Sequence, residues 1–134
     1  MTKITLSVQG TYLTLDGHAG AGPRGRDIVC AALSALAFTL ARVAQKNTAY
    51  GTRFDANWEE ATLFLHCEPE DKAAQERCHH LFAAFGEGFR MIAEAYPEYA
   101  SFQENAPMAF SRNEGMQSAA RTRLARRKIR GSPL

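Results

Sequence analysis

From Ile28 to Ala41 the chain carries no charged residue, and Ile28, Leu33, Leu36 and Leu40 recur within that run at helical spacing, continued by Val43. A run this apolar must be covered on folding. It is too short by itself to cross a bilayer, so it reads as a buried helix with alanines around its remaining surface. Another part of the chain has to supply a matching apolar face. Two stretches ahead of it do so. Lys3 to Gln9 alternates with Ile4, Leu6 and Val8 on one side, and Thr11 to Asp16 alternates with Leu13 and Leu15 inward. Gly10 sits between them, and the pattern predicts a β-hairpin.

The same order of elements returns without any repeat of sequence. Asn47 to Asn57 permits a strand through Tyr50, Thr52 and Phe54, and Ala61 to Cys67 predicts another with Leu63 and Leu65 inward. Glu68-Pro69-Glu70-Asp71 is an acidic helix start. A helix follows from about Asp71 to Ala95, with Cys78, Leu81, Phe82, Phe85, Phe89 and Ile92 as its buried stripe. Gly86 and Gly88 inside it either cost a little stability or permit close packing. Pro97 ends it. The prediction is strand-strand-helix-strand-strand-helix: a two-layer α+β fold, one sheet with both helices on a single face.

A chain of 134 residues suits one core. Periodicity fades from Ser101, so residues 1–103 are expected to form the domain and 104–134 a tail. The net charge of +2 is too small to assign a partner, but the run Arg121-Thr122-Arg123-Leu124-Ala125-Arg126-Arg127-Lys128-Ile129-Arg130 concentrates the positive charge near the end. Such a run could contact nucleic-acid phosphates, and a solvated arm is the simpler reading. Three cysteines is an odd number, and Met1-Thr2-Lys3 leads straight into a strand pattern without a secretory signal. A reducing cytoplasm, with free thiols and no membrane, is therefore expected.

Chemistry concentrates in one stretch, GHAGAGPRGRDIVC, residues 17–30. Asp27 is a good N-cap for the helix that follows, which places Cys30 in its first turn. The sulfur then meets the positive end of the helix dipole, with Arg24 and Arg26 near in sequence, a setting that favours thiolate over thiol. Ser34 falls one turn later on the same face, and Ala31 and Ala32 leave room around the sulfur. His18 follows a strand, where an imidazole could act as base and then as acid. The loop between the two, with Gly20, Gly22, Arg24 and Gly25, could close over an extended substrate. The residues alone leave a simpler reading open: a small core cysteine and a surface histidine.

This stretch resembles the signature of the Prp family, the ribosomal-processing cysteine proteases. The resemblance rests on Gly17-His18-Ala19, a glycine-containing loop, and then Gly25-x-Asp27-Ile28-Val29-Cys30-Ala31-Ala32-x-Ser34-Ala35-Leu36. The closing Ile92-Ala93-Glu94-x-Tyr96-Pro97-Glu98-Tyr99 also resembles the family pattern. The likeness covers roughly residues 3–103. It implies Cys30 as nucleophile and His18 as base, with Gly17, Asp27 and Ser34 in support and the glycine loop as a cover that orders on substrate. It implies a small cytoplasmic homodimer without metal or organic cofactor. The implied substrate is a bacterial large-subunit ribosomal protein, the one numbered twenty-seven, which loses a short N-terminal extension. Family substrates are cut after an aromatic residue, and Met108-Ala109-Phe110-Ser111-Arg112 has a similar order, so a weak self-interaction of the tail is one expectation. This chain departs from the family by lacking the aromatic residue typical before Gly25. A non-catalytic ribosome-associated or RNA-binding module on the same fold is the alternative.

His66-Cys67 and Cys78-His79-His80 invite a zinc reading that the geometry opposes. Neighbours on a strand point to opposite faces, and Cys78 and His79 diverge by about 100° around a helix. Cys67 and Cys78 are expected to be packing thiols, and His79 and His80 surface residues.

Overall fold

The computed structural model describes residues 1–105. The basic run 121–130, the segment 108–112 and the expectations attached to a tail beyond residue 105 lie outside the described residues.

Alternation in the first two segments closes them on each other. Strand β1 (Thr2–Ser7) pairs antiparallel with β2 (Tyr12–Asp16), which sets Ile4 opposite Leu15 and Leu6 opposite Leu13. β2 pairs in turn with the strand Thr62–Cys67, so that Leu13 meets Leu65 and Leu15 meets Leu63. That strand is β4, because Thr52–Asn57 forms β3 along its other side. Two rows, Ile4–Leu15–Leu63 and Leu6–Leu13–Leu65, thus make one apolar face, with each of these residues at most 9% exposed. Helices α1 (Ile28–Lys46) and α2 (Lys72–Ala95) cover it and share its core. This is the expected α+β layering. Between α1 and β3 the chain makes one 3-10 turn, Thr48–Tyr50, so Tyr50 precedes the strand and is not part of it.

Sequence pattern predicts four strands, and the sheet has five, in the order β3-β4-β2-β1-β5. β5 (Ala100–Glu104) runs parallel to β1, with Thr2 beside Ala100 and Leu6 beside Glu104. A parallel neighbour requires a crossover, and α2 supplies it. The strand has little alternation because Ser101, Gln103 and Glu104 are polar. Tertiary contacts hold it: the Arg90 guanidinium of α2 lies 5.0 Å from the Phe102 ring centroid and donates to Glu104 Oε2 at 2.9 Å. Pairing continues past the expected boundary at residue 103. The Asn105 N–H donates to Leu6 O at 2.8 Å, and its Nδ2 donates to the Tyr12 hydroxyl at 3.0 Å.

The face that α1 buries differs from the one its large residues predict. Ile28 is 64% exposed and Val43 42%, while Val29, Leu33, Ala37, Leu40, Ala41 and Ala44 face the core. Half of these six buried residues are alanines, and the two helices approach closely at Leu36. A Cβ added at Gly88 of α2 would sit 3.1 Å from Leu36 Cδ2 of α1, so the glycine is what admits that side chain. The helix also runs beyond the uncharged segment, through Arg42 to Lys46. At 19 residues with a mean hydropathy of 1.7 it is long and apolar enough to cross a membrane by composition alone. Its buried stripe instead packs on the sheet and α2.

α2 begins as expected. Asp71 caps it, Oδ1 accepting from Ala74 N at 2.8 Å, with Pro69 just ahead. Its stripe centres on Phe82 and Phe89, both fully buried. Phe82→Ala is expected to cost about 3–5 kcal/mol, as a large buried ring does when it leaves a cavity. Urea unfolding measures this; a loss below about 1 kcal/mol would show that the site collapses around the change.

Candidate active site

At Asp16 the chain leaves the sheet and must reach the start of α1 at residue 28. Gly17 makes the exit. Its φ is +90°, and a Cβ there would lie 2.7 Å from the Met1 carbonyl oxygen. Its N–H donates to Ala61 O at 2.9 Å, and its carbonyl accepts from Thr2 Oγ1 at 2.9 Å. A left-handed backbone pinned from both sides excludes any side chain. The next residue, His18, is thereby fixed at the rim of the sheet.

The loop after His18 is more anchored than its composition suggests. Ala19 is 2% exposed, and Ala21 packs against the core. The Ala21 N–H donates to Asp27 Oδ2 at 3.0 Å. Arg26 N donates to Pro23 O at 2.9 Å and closes a turn at the tip. Gly20 and the tip, with Pro23, Arg24, Gly25 and Arg26, are exposed. The two arginines, expected close to the thiol, sit on this exposed tip.

Asp27 behaves as predicted and does more. Its backbone is extended, and Oδ1 accepts from Cys30 N at 2.9 Å, which makes it the N-cap of α1. One carboxylate therefore holds the helix start with one oxygen and the loop with the other. Cys30, half-buried, lies in the first turn. From it Leu33, Ser34, Ala37 and Phe38 continue along one face of α1 and form a wall of a cleft of about 490 Å³, measured to its open mouth. The opposite wall comes from Gly17, His18, Trp58, Ala61 and Thr62, over a floor of Leu15, Ala56 and Leu63. The structure thus brings Cys30, His18, Gly17 and Ser34 to one cavity. Gly20, Gly22, Arg24 and Gly25 are not in its lining, and Asp27 acts from behind it. Among the described residues no hydrogen bond joins His18 to Cys30; contacts of this kind commonly tighten only when substrate binds.

Sequence reasoning missed three lining residues. Phe38 stacks on Trp58 with ring centroids 4.9 Å apart and meets Phe54 edge-on at 5.5 Å. Thr62 carries a buried Oγ1 without a hydrogen-bond partner among the described residues. For Phe38 a signal existed, since it lies one helical turn beyond Ser34 and two beyond Cys30, on the face that both share with Ala37. Trp58 sits in the β3–β4 turn, and no spacing along the chain places it here.

The chain has counterparts among known proteins. The family model for cysteine protease Prp matches residues 1–101. The chain belongs to the Prp cysteine protease family. Solved structures agree at the level of fold. The ribosomal processing protease Prp from S. aureus, in complex with a covalently linked product peptide, is 20% identical, with a TM-score of 0.68 over 78% of this chain and 100% of that one. The same S. aureus protease in complex with a substrate peptide gives 19% and a TM-score of 0.63 over the same shares. SMU.848 from Streptococcus mutans is 25% identical, with a TM-score of 0.61 over 77% of this chain and 90% of its own. No curated protein matches the chain.

In this Prp family member the other two thiols sit apart from the cleft chemistry. Cys67 is 1% exposed and Cys78 fully buried. Their mutual hydrogen bond, together with burial, pushes the Cys78 thiol far above the ordinary range. The same bond draws Cys67 downward against the opposing effect of burial, helped by Thr52 Oγ1 at 3.5 Å. His66 faces the other side of β4, where its ring lies 6.3 Å from that of Phe64. His80 is exposed as expected. His79 is not a plain surface residue: it is half-buried, with Nε2 covered and unpartnered.

Two outcomes follow from this geometry. Asp27→Ala removes the cap and should cost about 1 kcal/mol. Asp27→Asn keeps one accepting oxygen, so it should preserve helix stability while the Ala21 amide loses its acceptor. Thermal unfolding and amide exchange at Ala21 separate the two, and equal behaviour of both variants would contradict the two-oxygen arrangement. In the native protein iodoacetamide should alkylate Cys30, with Cys67 and Cys78 reacting only after denaturation. Mass mapping of the labelled peptides reads this directly, and early labelling of Cys78 would contradict the burial of the pair.

Proposed function

We propose that this Prp family member is an endopeptidase in which Cys30 is the nucleophile and His18 the general base. The observation that carries the reading is the convergence of both residues on one cleft, with Cys30 in the first turn of α1. His18 takes the thiol proton, and the sulfur attacks a peptide carbonyl carbon. The tetrahedral intermediate collapses to a thioester as His18 returns the proton to the leaving amine. Water, deprotonated by the same imidazole, then releases the acyl product.

The developing oxyanion needs donors. The N–H of Cys30 is already given to Asp27 Oδ1, so it does not serve. Ser34, one helical turn on and lining the same cleft, offers its hydroxyl. Gly17 supports the reaction by fixing His18, and Asp27 by fixing Cys30. The loop segment with Gly20, Gly22, Arg24 and Gly25 covers the bound peptide.

The substrate we propose is a bacterial large-subunit ribosomal protein, the one numbered twenty-seven, whose N-terminal extension is removed in the cytoplasm. The family resemblance supports this, as do peptide complexes of the S. aureus protease with which the chain shares its fold. The resemblance likewise supports a homodimer and a reaction without metal or organic cofactor, and the positive charge of the run 121–130 supports contact with ribosomal RNA.

The test is incubation with the extended ribosomal protein of the same organism, followed by mass measurement of the products. A single cut that releases the extension is expected. Cys30→Ala and Cys30→Ser should both abolish it while remaining folded, since the alcohol is far less acidic than the thiol. Turnover by Cys30→Ala would overturn the assignment. Ser34→Ala should lower kcat by about 10²–10³-fold, the usual loss for one oxyanion donor. Its iodoacetamide reaction, which forms no oxyanion, should be unchanged.

A further inference from the structure

Two guanidiniums stand apart from everything the cleft chemistry uses. Arg24 and Arg26 lie on the exposed tip of the loop that joins His18 to Cys30. The tip is a built turn. Arg26 N closes it on Pro23 O at 2.9 Å, Gly25 takes a left-handed φ of +84°, and a Cβ at Gly22 would lie 2.8 Å from the Arg26 carbonyl oxygen. Both arginines therefore start from one folded backbone, two residues apart. Among the described residues neither has an ion pair. The nearest carboxylate in sequence, Asp27, already accepts from Ala21 and Cys30. Two like charges on one turn repel, and a bound carboxylate relieves that cost. The guanidinium fork fits a carboxylate with two parallel hydrogen bonds.

The cleft itself offers no such contact, since its lining holds no Lys, Arg, Asp or Glu. Charge on a substrate can be read only at the rim. The loop starts at one lining residue, His18, and ends at another, Cys30, so it borders the mouth and brings two cations there. Arg26 is four residues from Cys30 in sequence, which keeps their Cα atoms within about 15 Å at about 3.8 Å per residue. An extended peptide covers that distance in about four to five residues. Resting on the proposed role of this loop as the cover over the peptide, we infer that Arg24 and Arg26 are specificity-determining residues. They bind the carboxylate of one Asp or Glu of the substrate, within about five residues of the scissile bond. The substrate class is thereby narrowed to peptides that carry an acidic residue near the cut.

The test uses the extended ribosomal protein of the same organism, with Asp, Asn or Lys placed in turn at the second to fifth positions on either side of the cut. Product masses over time give kcat/KM for each. At low ionic strength, about 0.01 M, Asp should exceed Asn by about 3–5-fold at one position at least, the upper range for an exposed ion pair. The ratio should fall toward one at about 1 M salt, where the screening length shrinks to about 3 Å. In Arg24→Glu/Arg26→Glu the order at that position should invert, with Lys favoured over Asn and Asp slowest. Each ratio is taken within one variant, so a general loss of activity cancels. Asp and Asn within about 1.5-fold at every position overturns the inference, as does an Asp preference that survives the charge reversal. In both cases the protease reading stands. Weaker binding of the reversed variant to an oligouridylate, with no Asp preference in the native protein, assigns the tip to RNA phosphates instead and overturns the inference. If the ribosomal protein is not cut at all, the protease reading falls and the inference with it.

Discussion

The carboxylate of Asp27 is the interaction on which the site depends. Oδ1 takes the N–H of Cys30 and Oδ2 takes the N–H of Ala21. Bonds from backbone amides to an ionised acceptor are stronger than neutral ones. The grip fixes Cys30, the proposed nucleophile, at a defined place in the first turn. It also shortens the free part of the loop to its tip, so that a glycine-rich connection does not leave His18 adrift from α1. The same bond occupies the amide of Cys30, so in the proposed mechanism another donor serves the oxyanion. Structure and chemistry are thus coupled through a single side chain.

The sheet supplies the other half of the site. β2 ends where Gly17 is clamped between Thr2 and Ala61, so His18, the proposed base, stands on the rim of three strands at once. β1 is central to this, pairing with β2 on one side and β5 on the other. α2 never reaches the cleft. Its contribution is to cross the sheet, deliver β5 and press α1 into place through the close approach at Gly88. The proposed catalytic geometry thus rests also on the packing of elements that carry none of the proposed catalytic residues.

Local pattern was enough for most of this. Alternation at Ile4, Leu6, Leu13, Leu15, Leu63 and Leu65 predicts the strands and the inward face they share. Asp27 and Asp71 predict both helix starts, because capping is decided within four residues. Legibility failed where distant parts of the chain decide the outcome. β5 is a polar edge strand held by Arg90 and by pairing with β1, and neither contact leaves an alternating trace. Ile28 and Val43 face solvent while Ala37, Ala41 and Ala44 take core positions, a choice of face that residue size alone does not signal. The anchored loop eluded a reading based on its glycines, since Ala19 and Ala21 are held by the core and by Asp27. Trp58 reaches the cleft only through the fold of the β3–β4 hairpin. His18 and Cys30, by contrast, stood out from sequence because one short stretch carries both.

The most direct test of the catalytic assignment is to catch the acyl-enzyme. The active protein would be mixed with the extended ribosomal protein, quenched in acid within one turnover, digested and mapped by mass. A thioester between Cys30 and the released extension is predicted, removed by hydroxylamine and missing from Cys30→Ala. Cleavage that proceeds without an adduct on Cys30, or with the adduct on Cys67 or Cys78, would contradict it.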